Sequence, residues 1–416
     1  MMTFMNKYLK GDKVIWGILF LLFIFSLLTV YSSTGMLAFR YKQGNTTYYL
    51  LRHFSLLALG FFLIISISHL PYQLFSKIGQ VLWILAIPLL LFTLIFGTSY
   101  NAATRWLTIP GLGLTMQTSD IAKLAIILYV ARMLSLHQDN IKDFKGTFLP
   151  IIGPVTLICL LILPANFSTS AMIFMVCIIL MFIGRISFRH LMLLPLAGAV
   201  LLGLFILIAP AIHMDTRLQT WKHRVENFLK EDNEEDFQAN QSKIAIVTGG
   251  ILGKGPGNST QRNFIPHPYS DFIYAIITEE YGLIGASVVL ILYIILFFRA
   301  GIIVRKCDRT FPAFMVTGLT LMLIAQAFVN MAVATGLMPV TGQPLPLISM
   351  GGSSILSSSA AFGMILSVSR SLQENKETEK EKMKEKQPTN TTTPPTEKEE
   401  NNKIKEPVMV MDSDDE

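Results

Sequence analysis

From residue 14 to residue 369 the chain runs in long apolar stretches broken by short polar joints, with no regular alternation of apolar and polar positions inside the stretches. About 20 apolar residues cross the ~30 Å hydrocarbon layer of a bilayer as a helix. Ten stretches qualify, at about 14–34, 50–68, 79–97, 119–135, 147–163, 168–184, 190–212, 271–299, 311–334 and 349–369. The pattern predicts an all-α polytopic membrane protein of about ten transmembrane helices. Composition agrees: 52% of the 416 residues are hydrophobic and 15% charged, with a mean hydropathy of +0.51, more apolar than a soluble core requires.

Charge sets the expected orientation, because Lys and Arg concentrate in cytoplasmic joints. With the N-terminus inside, the inner joints hold twelve: Lys7, Lys10, Lys13, Lys77, Lys142, Lys145, Arg185, Arg189, Arg299, Arg305, Lys306 and Arg309. The short outer joints hold Arg40, Lys42 and Arg105. This predicts N-in and C-in, with one large extracytoplasmic loop, 213–270, between helices 7 and 8. The first apolar run has no A-x-A-like cleavage site and reads as a retained span. Net charge is +6. Residues 371–416 carry 13 acids and 8 bases, so the membrane domain 1–370 holds a surplus of +11 suited to anionic lipid. That tail, with its Lys/Glu alternation and Thr391–Thr396, reads as a disordered charged cytoplasmic segment. Glu374–Lys386 could alternatively continue the last span as an exposed helix. Cys159, Cys177 and Cys307 suggest neither a disulfide framework nor a metal cluster.

Candidate chemistry gathers on the outer side. In Arg217–Leu229 the apolar residues recur at helical spacing, which suits a lipid interface and places Arg217, Lys222 and Arg224 at headgroup height. The acids 231–236 lack the glycine of a calcium loop, since Phe237 stands there. Gly249–Gly257 lacks the G-x-x-x-x-G-K-[ST] spacing of a phosphate cradle and reads as a turn letting backbone pass close to the membrane surface. His213, His223 and His267 show no ligand spacing. Asp271 stands where the loop re-enters the membrane; Ser270 or Asp271 could cap a helix whose 29-residue run (271–299) would be ~43 Å long and project from the bilayer. Glu279, Glu280 and Lys123 are costly in lipid and must face protein or a wet cavity, so a structural ion pair competes with catalysis for them. Pro339–Ser354 cannot be regular helix; its Thr341, Ser349, Ser353 and Ser354 hydroxyls could line a polar outer cavity. Broken segments also occur in transporters.

Three stretches in order, Asn101–Lys123, Ser270–Gly285 and Asn330–Ser354, carry a resemblance to the SEDS family (shape, elongation, division and sporulation), covering about residues 10–370. Asn101, Arg105, Trp106, Gln117, Ser119 and Lys123 match its Asn-Gly-Ala-x-Arg-Trp and Gln-Pro-Ser-Glu-x-x-Lys stretches, while Ala102, Thr118 and Asp120 depart. Asp271, Phe272, Glu279 and Glu280 match the stretch bearing the family's essential aspartate. Asn166 stands where the family usually has an acid, and Met350 where tyrosine is common.

The resemblance implies a peptidoglycan glycosyltransferase that polymerises lipid II on the outer face of the bacterial cytoplasmic membrane. Its implied partners are a class B penicillin-binding protein transpeptidase and other divisome proteins, with no nucleic acid. Asp271 is then the catalytic base and Arg105, Lys123 and Arg217 the pyrophosphate clamp. Glu280 and Ser353 join the substrate-binding set, and a divalent cation, Mg or Mn, could share the charge. With no evident second exposed acid, single displacement with inversion is expected. Ser270 and Asn330–Val333 lean toward the division-type branch over an elongation-type polymerase, placing the protein at the septum. Polar groups inside spans also fit a lipid II flippase, and the tail a division scaffold.

Overall fold

The computed structural model describes residues 10–100, 103–108, 115–194, 198, 200, 203 and 237–385. Seven helical segments are long and apolar enough to cross a membrane. In chain order the helices are α1 (Lys13–Ser33), the short α2 (Gly35–Lys42), α3 (Thr46–Ser68), α4 (Tyr72–Phe96), α5 (Thr118–Leu136), α6 (Leu149–Ile162) and α7 (Phe167–Ile183). After a helical stretch at 188–194 come α8 (Phe237–Gly249), α9 (Ile273–Arg305), α10 (Thr310–Ala334) and α11 (Gly352–Glu385). The polytopic all-helical expectation holds, and nine of the ten apolar runs are these helices. The seventh run, 190–212, lies mostly outside the described residues.

Polar residues set several boundaries. Asp12 caps α1 by accepting from Val14 N, Asn45 caps α3 by accepting from Tyr48 N, and Asn166 caps α7 by accepting from Thr169 N. Each satisfies a backbone donor that a helix start leaves unpaired. At the centre α5 packs on α4, α10, α6 and α7, while α9 packs on α10, α8 and α1. Ile126, Ile127, Tyr293 and Phe362 are fully enclosed in the core.

Four features depart from the apolar pattern. Between α4 and α5 a small antiparallel sheet forms from β1 (Thr98–Tyr100), β2 (Ala103–Thr108) and β3 (Thr115–Gln117), with Trp106 opposite Gln117. Residues 144–148 form a π-helical turn before α6, capped by Asp143. The later part of the predicted loop folds as α8, a glycine turn and a 3-10 turn at Gln261–Asn263. Finally, α9 is no single projecting span: Gly282, at φ 67° and ψ −169°, divides it into a half-helix, 273–281, and a longer helix, 283–305.

At one end of the bundle the beginning of the chain is tied to its later helices. Asp12 Oδ2 accepts from Arg299 Nε at 2.6 Å, and Gly11 exchanges hydrogen bonds with Gln373 through both its N–H and its carbonyl. Lys10 pairs with Glu374. The chain divides into two compact units, Met1–Glu374 and Asn375–Glu416, and helical backbone runs on to Glu385, as the helical reading of Glu374 onward expected.

Candidate functional site

The opposite end of the bundle carries the turn Tyr269–Phe272, held mainly by a strap of irregular backbone at residues 339–351. Four side chains from three helices donate to the strap's carbonyls. Asn330 Nδ2 donates to Gln343 O at 2.7 Å, Gln326 Nε2 to Pro344 O at 2.9 Å, Tyr293 OH to Pro346 O at 2.6 Å and Ser26 Oγ to Ile348 O at 2.9 Å. Non-helical backbone at this depth persists only where protein or water satisfies it, and here side chains do so. Asn330 and Gln326 stand four residues apart on α10, so one helix face serves the strap.

The strap in turn grips the turn. Ser349 Oγ donates to Ser270 O at 2.6 Å and accepts from Leu345 N, and Met350 N donates to Tyr269 O at 2.8 Å. Asn330 Nδ2 also donates to Asp271 O at 2.8 Å. Asp271 is half-buried, and its Oδ1 accepts from Ser270 Oγ. The expected capping role is corrected: Phe272 occupies the N-cap of α9, and no side chain caps that helix. Asp271 thus sits on a backbone fixed from three sides.

Glu279 and Glu280 face protein, one of the two surroundings expected for them. Glu279 is fully enclosed and accepts from Lys254 Nζ at 2.6 Å, Thr260 N and Oγ1, Gln261 N and the Ser259 hydroxyl. Glu280, 1% exposed, accepts from the Ser32 hydroxyl, and Arg262 Nη1 donates to the Ser32 carbonyl and hydroxyl at 3.1 and 3.0 Å. Both acids fasten the loop to α9, and Glu280, expected in the substrate-binding set, is enclosed in this structure.

Glycines make that docking possible. A Cβ on Gly249 would stand 2.2 Å from Thr278 O, one on Gly253 2.2 Å from Glu280 O, and one on Gly282 2.2 Å from Ile251 O. Lys254 N and Gly255 N donate to the carbonyls of Glu279 and Glu280, and Leu283 N to Gly250 O, each at 2.9 Å. The glycine run therefore wedges into the break in α9.

Lys123, for which an ion pair competed with the pyrophosphate clamp, is paired. It is 4% exposed, with Nζ 2.8 Å from Asp120 Oδ1 and 3.2 Å from Gln326 Oε1, which joins α5 to the helix holding the strap. Asp120, a departure from the family pattern, supplies its counter-charge. Near it a cleft is lined by Thr93, Gln117, Thr118, Ser119, Ala165 and Asn166; the Asn166 amide oxygen caps α7, and Gln343 Nε2 donates to Thr169 Oγ1 in that helix's first turn. Ser353 lies in the first turn of α11, its buried hydroxyl without a hydrogen-bond partner among the described residues. Arg105 belongs to β2, which pairs with β1 and β3, and its side chain lies outside the described residues. Arg217, Asn101, His213 and His223 lie outside them entirely. His267 meets Tyr269 OH at 2.9 Å. Among the described residues no group of three or more His, Cys, Asp or Glu side chains could hold a metal ion.

Reading the sequence missed Arg262, Lys254 and the strap's four donors. The signal for two of those donors was present: carboxamides at 326 and 330, four apart in an otherwise apolar run, must find partners.

Comparison with known proteins adds to this geometry. The family model for FtsW, RodA and SpoVE, described as "Cell cycle protein", matches residues 12–374. The chain is similar to "Probable peptidoglycan glycosyltransferase FtsW" of Halomonas elongata, 32% identical over 332 residues, covering 78% of this chain and 82% of that one. It is also similar to "Stage V sporulation protein E" of Bacillus subtilis, 32% identical over 369 residues, covering 88% and 98%. Its fold matches, with a TM-score of 0.65 and 24% identity over 87% of this chain and 98% of the other, a chain in a solved structure titled "Structural coordination of polymerization and crosslinking by a peptidoglycan synthase complex".

Proposed function

This chain belongs to the FtsW/RodA/SpoVE family of cell cycle proteins, and from that premise we propose that it is a peptidoglycan glycosyltransferase polymerising lipid II at the division septum. The name of the Halomonas relative supports the activity. Asp271 carries the reading in this chain: it is a half-buried acid on a turn that Asn330, Ser349 and Met350 hold in place.

Lipid II presents its sugar on a pyrophosphate, which is already a good leaving group. Chemistry then needs a base for the acceptor C4 hydroxyl of a GlcNAc and positive charge for the departing phosphates. Asp271 takes the proton, and the freed oxygen displaces the lipid pyrophosphate from the anomeric carbon. A retaining route would need a second carboxylate about 5 Å away. Among the described residues near this end, Asp120 is paired with Lys123, and Glu279 and Glu280 are enclosed, which supports single displacement with inversion, from an α-linked donor to a β-1,4 glycan. Because Lys123 is engaged with Asp120 and Gln326, the pyrophosphate clamp falls to Arg105 and Arg217. A Mg or Mn ion accompanying the substrate would draw most of its ligands from phosphate and water, as magnesium commonly does.

The Asp271 end of the bundle faces outward in this reading, and the end bearing Lys10, Asp12 and Arg299 faces the cytoplasm. A class B penicillin-binding protein acts beside it as transpeptidase, together with other divisome proteins. Septal work is preferred to side-wall elongation on the division-type name of the Halomonas relative.

The test supplies lipid II in detergent to the purified protein with its transpeptidase partner. Asp271→Asn should lower glycan chain formation by about 10²- to 10⁴-fold, the usual contribution of a positioned general base. Full activity in that variant would refute the base assignment. Lipid II translocation by wild type without glycan formation would replace the polymerase with a flippase.

A further inference from the structure

Far from the turn in sequence, His53 sits in the apolar helix α3, fully enclosed, with its Nε2 2.7 Å from Ser26 Oγ of α1, itself fully enclosed. An imidazole buried this deeply is costly unless it is hydrogen-bonded. Counting protons fixes the direction of each bond. Ile348 O can only accept, so the single hydroxyl proton of Ser26 goes to it, across 2.9 Å. The Ser26 oxygen must therefore accept from His53, which makes the imidazole the Nε2–H tautomer. His53 Nδ1, buried and without a hydrogen-bond partner among the described residues, is then a bare lone pair. A second proton there would be a buried donor with no acceptor.

The chain of contacts continues to the site. Ile348 follows Leu347, a non-glycine residue at φ 62°, and precedes Ser349 and Met350, which bond to Ser270 O and Tyr269 O. Left-handed backbone at a branched residue is strained and persists only when its surroundings hold it. The hydroxyl of Ser26 is the side-chain partner of the adjacent carbonyl.

We propose that His53 and Ser26 are positioning residues: the imidazole orients the serine hydroxyl, the hydroxyl pins Ile348, and the pinned strap fixes the backbone on which Asp271 works. The inference rests on the reading of Asp271 as base. Neither residue touches substrate. Their removal should lower kcat and spare KM, because a reacting group displaced by about 1 Å can cost on the order of 100-fold in rate.

The experiment measures lipid II polymerisation by the full-length protein with its transpeptidase partner, for Ser26→Ala, His53→Leu, His53→Gln, the double variant Ser26→Ala/His53→Leu, and Asp271→Asn. Ser26→Ala and His53→Leu should each lower kcat about 10- to 100-fold with KM nearly unchanged. His53→Gln, whose amide nitrogen reaches the place of Nε2, should recover activity to within about threefold, as expected for a kept hydrogen-bond donor. The double variant should be no worse than the weaker single one, since both changes break the same link. Wild-type kcat in Ser26→Ala and His53→Leu, a loss carried by KM, equal loss in His53→Gln, or additive losses would each overturn the proposal. With Asp271→Asn inactive, such a result removes only the role of His53 and Ser26. An active Asp271→Asn removes the base assignment itself.

Discussion

Replacing Gly282 with alanine tests whether the break in α9 is held open by the glycine wedge. The new Cβ would lie 2.2 Å from Ile251 O and 2.5 Å from Gly253 N, and both are backbone atoms that cannot swing aside. The wedge must retract. Besides the long Ile284 N to Ile251 O contact at 3.4 Å, retraction breaks three backbone hydrogen bonds of 2.9 Å, Lys254 N to Glu279 O, Gly255 N to Glu280 O and Leu283 N to Gly250 O. At about 1 kcal/mol net each they amount to about 3 kcal/mol. The backbone at φ 67° and ψ −169° lies where a side chain adds about 1–3 kcal/mol of strain. The free energy that keeps the wedge docked should therefore fall by at least about 3 kcal/mol, equivalent to a factor of about 100 or more in the open population. Amide hydrogen exchange in detergent reads this directly: Lys254, Gly255 and Leu283 should exchange about 100-fold faster while the centre of α5 is unchanged. Gly301→Ala is the control, because a Cβ there meets nothing within 4 Å and alanine favours a helix. Equal protection of residues 250–257 in Gly282→Ala and wild type would refute the wedge.

Glu279→Gln keeps the size of the side chain but turns acceptor lone pairs into an N–H₂ group facing Lys254, Ser259, Thr260 and Gln261. Breaking a buried, hydrogen-bonded charge in this way costs about 3–5 kcal/mol, so the melting temperature in detergent should drop; an unchanged value would show that the carboxylate does not fasten the loop. Cys307 lies just beyond α9, and burial, reinforced by Asp308, pushes its thiol up to about 11. A thiol raised in this way is protonated at neutral pH, so alkylation should be slow at pH 7 and accelerate about tenfold per pH unit toward 11. A membrane-impermeant maleimide should reach Cys307 in inside-out vesicles only; labelling from the outer face of intact cells would overturn the N-in, C-in orientation.

The helices were legible because hydrocarbon enforces long apolar runs whatever their partners: the predicted 14–34 and 311–334 became Lys13–Ser33 and Thr310–Ala334. Asp271 was legible because a lone acid at a membrane boundary lies inside a matching motif. The environment of Glu279 and Glu280 was not. Their partners stand at Lys254, Ser259–Gln261 and Ser32, and no local periodicity couples positions so far apart. Gly282 reads as one more small residue in an apolar run, and its break exists only because Gly250–Gly253 packs into it. Asp120 stood within one helical turn of Lys123, yet reading it as a departure from the family pattern hid its role as counter-ion. His53 and Ser26 carry no local signal, since the carbonyl that Ser26 meets lies 322 residues further along the chain.

The ties between Gly11 and Gln373, 362 residues apart, and between Asp12 and Arg299 also bear on how the protein is made. A nascent chain that has left the ribosome only as far as Ala334 still lacks the acceptors for Ser26 and for the backbone of Gly11. Its earliest helix remains only partly docked until the final one is inserted. Docking of α1 therefore waits for insertion of α11, and a chain cut short before α11 would expose unpaired polar groups in lipid, a mark that membrane quality-control proteases can act upon.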